Sequence, residues 1–217
     1  MTLELFAHPF SSYCQKVLVA LWADGTPFTY RILDEQHPEN MVELKGYWPF
    51  GKFPLLLDND QPIVESTPII EHLQAKYPGE NVWVPEGETG RRVRFLDRFF
   101  DTYIMGNMMK AGNDILRPDA ARDGYGVGKA RAELSVAYDW IERQIGDHWA
   151  VGDTFTLADC AAGPSLFYAD WVEEIGPARP RLAAYRARLL AHPPVARAVE
   201  EGRPYRAYFP LGAPDRD

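Results

Sequence analysis

The first third of the chain alternates between two spacings of apolar residues. Leu3, Leu5 and Ala7 alternate with more polar positions, which is the period of a strand, whereas the apolar residues from Cys14 to Leu21 follow helical spacing. The same two patterns then predict three further strands and two further helices. The predicted strands are at 28–32, 53–58 and 62–64, and the predicted helices lie within 34–46 and from 66 to 76. The order is therefore β-α-β-α-β-β-α.

Turn signals between these elements predict how the strands pair. The strand–helix–strand order at the start favours a parallel pair joined by a crossover. The polar turn at 58–60 predicts a hairpin, so the last two strands should be antiparallel. Pro54 should head its strand because proline cannot donate to the ladder. Ser66 or Thr67 should cap the next helix, with Pro68 in its first turn.

The remaining two thirds of the chain carry helical periodicity alone. The first two predicted helices are at 93–109 and 130–145, and a glycine-rich break separates them. Three more follow: one from 156 with a Thr156/Asp159 capping box, one at 182–190 and one at 193–200. A polar stretch at 80–88 predicts a linker. We therefore expect an α/β domain with a mixed four-stranded sheet at 1–79, a linker at 80–88 and an all-α helical bundle at 89–217.

The composition narrows the possible function classes. The 217 residues carry a formal net charge of −8, which argues against nucleic acid as a partner because nucleic acid binds basic surfaces. No apolar run approaches membrane-spanning length, so we expect no membrane partner. The two cysteines lie in unrelated contexts and the histidines lack metal-ligand spacing, so we expect neither a disulfide framework nor a metal site. A reducing cytoplasm is the expected location.

The junction between the first strand and the first helix carries candidate chemistry. Pro9 ends the strand, and either Ser11 or Ser12 can cap the helix by accepting a hydrogen bond from a free backbone N–H. The free N–H groups and the positive end of the helix dipole favour an anion there, such as a thiolate. The residues alone leave a second interpretation open, in which Ser11 is an ordinary helix cap.

Four short strings occur in the order found in one enzyme family. They are S-S-Y-C at 11–14, G-K-F-P at 51–54, E-S-T-P-I-I-E-H-L at 65–73 and G-D-T-F-T-L-A-D at 152–159. With serine in place of the leading cysteine of a glutaredoxin site, the chain resembles the serine-type, theta- and zeta-like cytosolic glutathione S-transferases. The resemblance implies a thioredoxin-like N-terminal domain in which Pro54 is cis, followed by an all-helical domain.

The resemblance also implies a glutathione site. Ser66 would hold the γ-glutamyl carboxylate at the start of the third helix, and Glu65 would meet the ammonium group. The backbone of Phe53, just before Pro54, would pair with the cysteinyl part of glutathione like an added strand. Three basic residues are candidates for the glycyl carboxylate: Lys52, Lys45 and His37.

In this resemblance Ser11 is the catalytic residue. Its hydroxyl would donate a hydrogen bond to the glutathione sulfur and so favour the thiolate over the thiol. Ser12 is the competing donor. Cys14 departs from the theta- and zeta-like pattern, and we expect it to be a small buried residue on the helix face. Asp159 is expected to be structural, because the string around it is a folding element of the family.

The electrophile pocket should lie between the two domains, against the first long helix of the second. Its candidate residues are Phe10, Tyr103, Asn107 and Met108, with the tail near Tyr208. The expected function is a detoxifying glutathione transferase that joins the glutathione thiolate to a hydrophobic electrophile. A glutathione-dependent isomerase or dehalogenase and a non-catalytic binding protein of the same fold are the alternatives. A thiol oxidoreductase is disfavoured, because serine stands where cysteine is needed.

The family resemblance further implies a homodimer. The start of the first long helix is rich in arginine and aromatic residues that could face a partner: Arg91, Arg92, Arg94, Phe95 and Arg98.

Overall fold

The computed structural model describes residues 2–217, and its first part is a four-stranded sheet with three helices. The elements are β1 Leu3–Ala7, α1 Ser12–Ala23, β2 Thr29–Ile32, α2 Pro38–Tyr47, β3 Leu55–Asp58, β4 Gln61–Val64 and α3 Ser66–Lys76. The strand order is β2-β1-β3-β4, in which β1 and β2 are parallel and the other two pairs are antiparallel. The predicted mixed sheet and its β-α-β-α-β-β-α order are confirmed.

The central strands β1 and β3 are covered on both faces. Leu5 and Leu56 belong to the main hydrophobic core, which includes the apolar residues of α1 and α3. Phe6 and Leu55, their neighbours in sequence, join a smaller cluster with Leu44 of α2. Successive residues of a strand point to opposite faces, so the two apolar clusters lie on opposite sides of the sheet.

The second part of the chain is helical. Its helices are α4 Gly87–Phe99, α5 Gly106–Asn113, α6 Gly124–Glu142, α7 Leu157–Ala169, α8 Pro180–Ala191 and α9 Pro193–Gly202. A π-helical segment at Phe100–Met105 joins α4 to α5. Every residue of α7 is buried, and this helix packs against α1, α4 and α8. The same core therefore continues from the sheet into the helical part.

Two helix starts differ from the prediction. Glu65, rather than Ser66 or Thr67, is the cap residue of α3, and it has a positive φ of 71°. α6 starts at Gly124, inside the predicted glycine-rich break, because the Asp123 carboxylate accepts a hydrogen bond from the Gly126 N–H at 2.8 Å. A side-chain cap of this kind outweighs the low helix propensity of the glycines that follow.

Two loop segments also differ from the prediction. Pro54 lies one residue before β3 instead of heading it. The predicted linker at 80–88 is packed rather than loose, since Trp83 is buried and its indole N–H donates to Asp24 at 2.9 Å. No helix in the described part of the chain is long and apolar enough to cross a bilayer.

The capping box predicted at the start of α7 is present. The carboxylate of Asp159 is fully buried and accepts hydrogen bonds from the backbone N–H groups of Thr156 (2.8 Å) and Ala150 (2.7 Å) and from the hydroxyl of Tyr185 (2.7 Å). Burial raises the pKa of Asp159, and these donors act in the opposite direction. Asp159 thus connects α7 with α8 and with the loop between α6 and α7.

Replacing this carboxylate should destabilise the fold. We expect Asp159→Asn to lower the free energy of unfolding by about 1–3 kcal/mol, because the amide leaves buried donors unpaired. Urea denaturation followed by circular dichroism measures the change. Asp153→Asn is the control, since Asp153 lies in the loop just before α7 and its side chain is 88% exposed, and it should change stability by less than about 0.5 kcal/mol. Equal losses in the two variants would contradict the structural role of Asp159.

Candidate functional site

A cleft lies between the sheet domain and the helical segment around the π-helical turn. Its volume is about 510 Å³. The start of α1, the loop before β3 and the start of α3 form one side, and residues of α4, α5 and the π-helical segment form the other. All six residues predicted to bind glutathione line it: Ser11, Lys52, Phe53, Pro54, Glu65 and Ser66.

Ser11 caps α1, which answers the choice that the sequence left between Ser11 and Ser12 as cap. Its backbone is extended, with φ −87° and ψ 122°, and its hydroxyl oxygen accepts from the Cys14 N–H at 3.4 Å. Its own N–H donates to the carbonyl of His8 at 3.0 Å. Because the cap uses a lone pair of the oxygen, the hydroxyl proton stays available to an acceptor in the cleft.

The start of α3 supplies a second polar element. Glu65 is exposed and adopts the left-handed backbone region, which is unfavourable for a residue with a Cβ atom. Ser66, by contrast, is only 5% exposed and is the first residue of the helix. Free N–H groups and the helix dipole make this end of α3 favourable for a carboxylate.

The loop before β3 completes the sheet side of the cleft. The Phe53–Pro54 bond is cis, as expected from the resemblance. Phe53 lies outside the β3 ladder, which begins at Leu55. Of the three basic candidates for the glycyl carboxylate, Lys52 lines the cleft. His37 instead lies 2.7 Å from Asp34, and the side chain of Lys45 packs beside Gly51.

Sequence reasoning missed the residues that the helical part brings to the cleft. Arg98 and Asp101 line it, together with Tyr13 of α1. Arg98 and Asp101 are three residues apart on a continuous helical segment, so they share a face, but the sequence indicated no ligand there. Arg98 had instead been assigned to a dimer surface.

A buried lysine forms an ion-pair network beside this cavity. Lys16 of α1 is 1% exposed, and its ammonium group contacts Asp97 (2.5 Å), Asp101 (2.7 Å) and the hydroxyl of Thr67 (2.8 Å). Burial raises the pKa of Asp101, and the neighbouring Lys16 opposes that rise. This network joins α1, α3 and the α4–π segment directly behind Ser66.

A second cavity of about 310 Å³ adjoins the first. Phe10, Met108 and Tyr208, which were predicted for the electrophile pocket, line this cavity, and Phe209 of the tail contributes as well. Ser11 and Tyr13 line both cavities, whereas Ser12 lines only the second. Ser11 therefore lies at the boundary between the two.

Tyr103 and Asn107, which were also predicted for the electrophile pocket, are not among the residues that line this second cavity. Both line a separate groove of about 700 Å³ between α4 and α6, with Phe95 and Phe99. These four residues follow one another at steps of four and share one helix face. The π-helical segment holds more residues per turn than an α-helix, so it keeps Tyr103 on that face instead of rotating it towards the sheet domain. Met108, one position later than Asn107, faces the second cavity.

The two other polar groups near Ser11 are poorly suited to activate a thiol. Cys14 is fully buried, as expected, and burial raises the pKa of its thiol to about 12. The phenol of Tyr13 lies 3.5 Å from the carbonyl of Asp101 and donates to it. That bond occupies the phenol proton, and burial, with Asp101 and Glu65 nearby, raises the pKa of Tyr13 to about 12. In residues 2–217, no group of three or more His, Cys, Asp or Glu side chains is arranged to hold a metal ion.

Comparison with known proteins yields one family. The family model for the glutathione S-transferase N-terminal domain matches residues 5–81, and the model for the C-terminal domain matches residues 113–188. Glutathione S-transferase PARB from Nicotiana tabacum is 25% identical, over 93% of this chain and 99% of that protein. Human glutathione S-transferase theta-2 is 28% identical, over 88% of this chain and 82% of its own length.

A solved structure gives the same result. A glutathione S-transferase from Methylobacterium radiotolerans, in complex with glutathione sulfonate, superposes with a TM-score of 0.79 at 27% identity. The match covers 92% of this chain and 95% of that one. Two family models in the right order, relatives along most of the chain and the shared two-part architecture agree. The chain belongs to the cytosolic glutathione S-transferase superfamily.

Proposed function

We propose that this protein is a glutathione transferase that binds glutathione in the first cavity and uses its thiolate to attack a hydrophobic electrophile in the second. The observation that carries the proposal is the position of Ser11, at the boundary of both cavities with its hydroxyl proton available. The glutathione sulfonate in the Methylobacterium radiotolerans relative supports glutathione as the co-substrate. The ranges of the two family models support the proposed domain division near residue 80.

The charges around the first cavity match the groups of glutathione. The buried Ser66 at the start of α3 would hold the γ-glutamyl carboxylate, while Glu65 and Asp101 would face the ammonium group. Lys52, which is exposed and lines the cavity from the loop before β3, would meet the glycyl carboxylate. The backbone of Phe53, which is free of the β3 ladder, would pair with the cysteinyl part between them.

Ser11 would lower the pKa of the bound thiol. One hydrogen bond to a charged sulfur is worth about 1.5–3 kcal/mol, which corresponds to a pKa lowered by about one to two units. The thiolate then forms a carbon–sulfur bond with the electrophile, and the electron pair of the bond that breaks leaves with the departing group. The second cavity would select the electrophile, because apolar and aromatic side chains dominate its lining.

The alternatives use the same glutathione site. A glutathione-dependent isomerase or dehalogenase would act through the same thiolate, and a non-catalytic relative would bind glutathione without turnover. Retention on glutathione resin followed by turnover of a generic aryl halide separates the binding protein from the transferase, and halide release from a haloalkane detects a dehalogenase. Cytoplasmic location stays a prediction, since it rests on cysteine usage.

Removing the Ser11 hydroxyl should impair chemistry rather than binding. We expect Ser11→Ala to lower kcat at neutral pH by about ten- to a hundredfold, since the thiol loses its stabilising donor. Glutathione affinity by calorimetry should change less than about twofold. Titration of thiolate absorbance in the bound complex should show a raised thiol pKa. A silent Ser11→Ala, with activity lost in Ser12→Ala or Tyr13→Phe, would assign the donor role to another residue.

Removing the Ser66 hydroxyl should impair glutathione binding rather than chemistry. We expect Ser66→Ala to weaken glutathione binding by about tenfold or more, because a hydrogen bond to a charged carboxylate is lost. With saturating glutathione, kcat should stay near that of the wild type. Calorimetry and the KM for glutathione measure the change. Unchanged affinity would show that the γ-glutamyl carboxylate lies elsewhere.

The groove between α4 and α6 supports the proposed homodimer. Its apolar lining is unusually exposed for a monomer surface, with Phe95 43%, Tyr103 53% and Val136 67% exposed. Two of the arginines expected at a dimer surface already have partners within the chain, since Arg91 pairs with Glu88 and Arg94 with Glu71. We therefore place the apolar groove, rather than the arginines, at the proposed interface with a second copy.

A charge in the groove should disrupt the dimer. We expect the wild type to be a dimer at micromolar concentration and Val136→Asp to be mainly monomeric, because a carboxylate would be buried without a partner. Size-exclusion chromatography with light scattering measures both. Val42→Asp is the matched control, since Val42 is 73% exposed on α2, outside the groove. A monomeric wild type would refute the homodimer, and a dimeric Val136→Asp would move the interface elsewhere.

A further inference from the structure

Two buried side chains hold the peptide carbonyls that precede Ser11. The carbonyl of Pro9 accepts from Nε2 of Gln15 at 2.8 Å, and the carbonyl of Phe10 accepts from the hydroxyl of Tyr168 at 3.0 Å. Gln15 is 1% exposed and Tyr168 is 3% exposed. A buried carbonyl that loses its donor is costly, so these bonds restrict the conformations open to the loop.

The two side chains act as one unit, which we name the carbonyl clamp (Gln15 and Tyr168). Nε2 of Gln15 lies 3.1 Å from the Tyr168 hydroxyl and 3.2 Å from the carbonyl of Ala198. The phenol has one proton, which it gives to the Phe10 carbonyl, so it accepts from Gln15. Burial raises the pKa of Tyr168, which keeps this proton in place.

His8 also holds the loop, through two backbone N–H groups. The Phe10 N–H donates to Nδ1 of His8 at 3.0 Å, and the Ser11 N–H donates to the His8 carbonyl at 3.0 Å. Burial lowers the pKa of His8, so the imidazole stays neutral and able to accept. The ring of Phe10 packs edge-on against the ring of Tyr168, with 5.1 Å between centroids. The backbone N–H and the backbone carbonyl of Phe10 are therefore both hydrogen-bonded.

We infer that Tyr168 is a positioning residue, which acts through the Phe10 carbonyl to direct the Ser11 hydroxyl towards the glutathione sulfur. This inference rests on the proposed function, because it needs Ser11 to be the thiol donor. Tyr168 belongs to α7 in the helical part, whereas Ser11 caps a helix of the sheet domain. The orientation of the donor is thus set by the second domain as well as by its own.

The test is Tyr168→Phe, alone and combined with Ser11→Ala. The phenylalanine keeps the ring that lines the second cavity and removes the hydroxyl, which donates to the Phe10 carbonyl and accepts from Gln15. We expect kcat to fall by about three- to tenfold, KM for glutathione to change less than about twofold, and the pKa of the bound thiol to rise. In the Ser11→Ala background the same change should have no further effect on kcat or on the thiol pKa, because no donor is left to orient.

Tyr138→Phe is the matched control. Tyr138 is a buried tyrosine of α6 whose hydroxyl donates to the backbone carbonyl of Glu173 at 3.2 Å, away from both cavities. This control should lose stability to a similar degree in urea denaturation, yet keep the thiol pKa and kcat of the wild type. It separates a local effect on Ser11 from a general loss of stability.

The outcomes separate the inference from the function on which it rests. The inference is overturned if Tyr168→Phe leaves the thiol pKa and kcat unchanged, if Tyr138→Phe reproduces its effect, or if its effect adds in full to that of Ser11→Ala. In each of these cases a strong effect of Ser11→Ala alone would still support the proposed function. A silent Ser11→Ala would overturn the donor role of Ser11, and the positioning role of Tyr168 with it.

Discussion

The burial of α1 is the constraint on which the rest of the structure depends. From Cys14 to Leu21 each residue of this helix is buried, because α1 packs against α3, α7 and α9 and shares the main hydrophobic core with the sheet. The helix therefore cannot shift without opening the core of both parts. Ser11, which caps it, takes its position from that packing. If Ser11 donates to the glutathione sulfur as proposed, the site gains from such a rigid support.

Two polar residues on α1 connect this packing to the site. Gln15 and Lys16 are both buried, and both find partners in the helical part: Gln15 at Tyr168 and Ala198, and Lys16 at Asp97 and Asp101. Removing one partner of a buried ion pair costs about 3–5 kcal/mol, although the pair itself contributes little net stability. These contacts therefore specify how the two parts fit together more than they stabilise either one.

The sequence predicts the parts of the fold that depend on local signals. Alternating residues located the four strands, and the Thr156/Asp159 capping box located the start of α7. The sheet side of the first cavity was predicted as well, because its residues lie in contiguous strings such as the one at 51–54. Such strings carry their own turn and cap chemistry, so they can be interpreted without knowledge of distant partners.

The rest could not be predicted because it depends on distant partners. The π-helical segment at 100–105 has no clear local signal, and Tyr103 and Asn107, candidates for the electrophile pocket, line the groove between α4 and α6. The burial of Gln15 and Lys16 runs against their polarity and is possible only because the helical part supplies their hydrogen bonds. Asp101 reaches the first cavity for the same reason, since its direction is set by packing across two domains.

The separation of the two cavities has a consequence for how such a site can change. Phe10 and Tyr168 line the second cavity and also take part in the hydrogen bonds that hold residues 8–11, whereas the other apolar walls of that cavity make none of these bonds. Those walls come largely from Met108 and from the tail at Tyr208 and Phe209. Substitutions there can alter the shape offered to the electrophile while the thiol donor keeps its position. Under the proposed mechanism, thiol activation and electrophile choice would therefore be largely separable, with Phe10 and Tyr168 contributing to both.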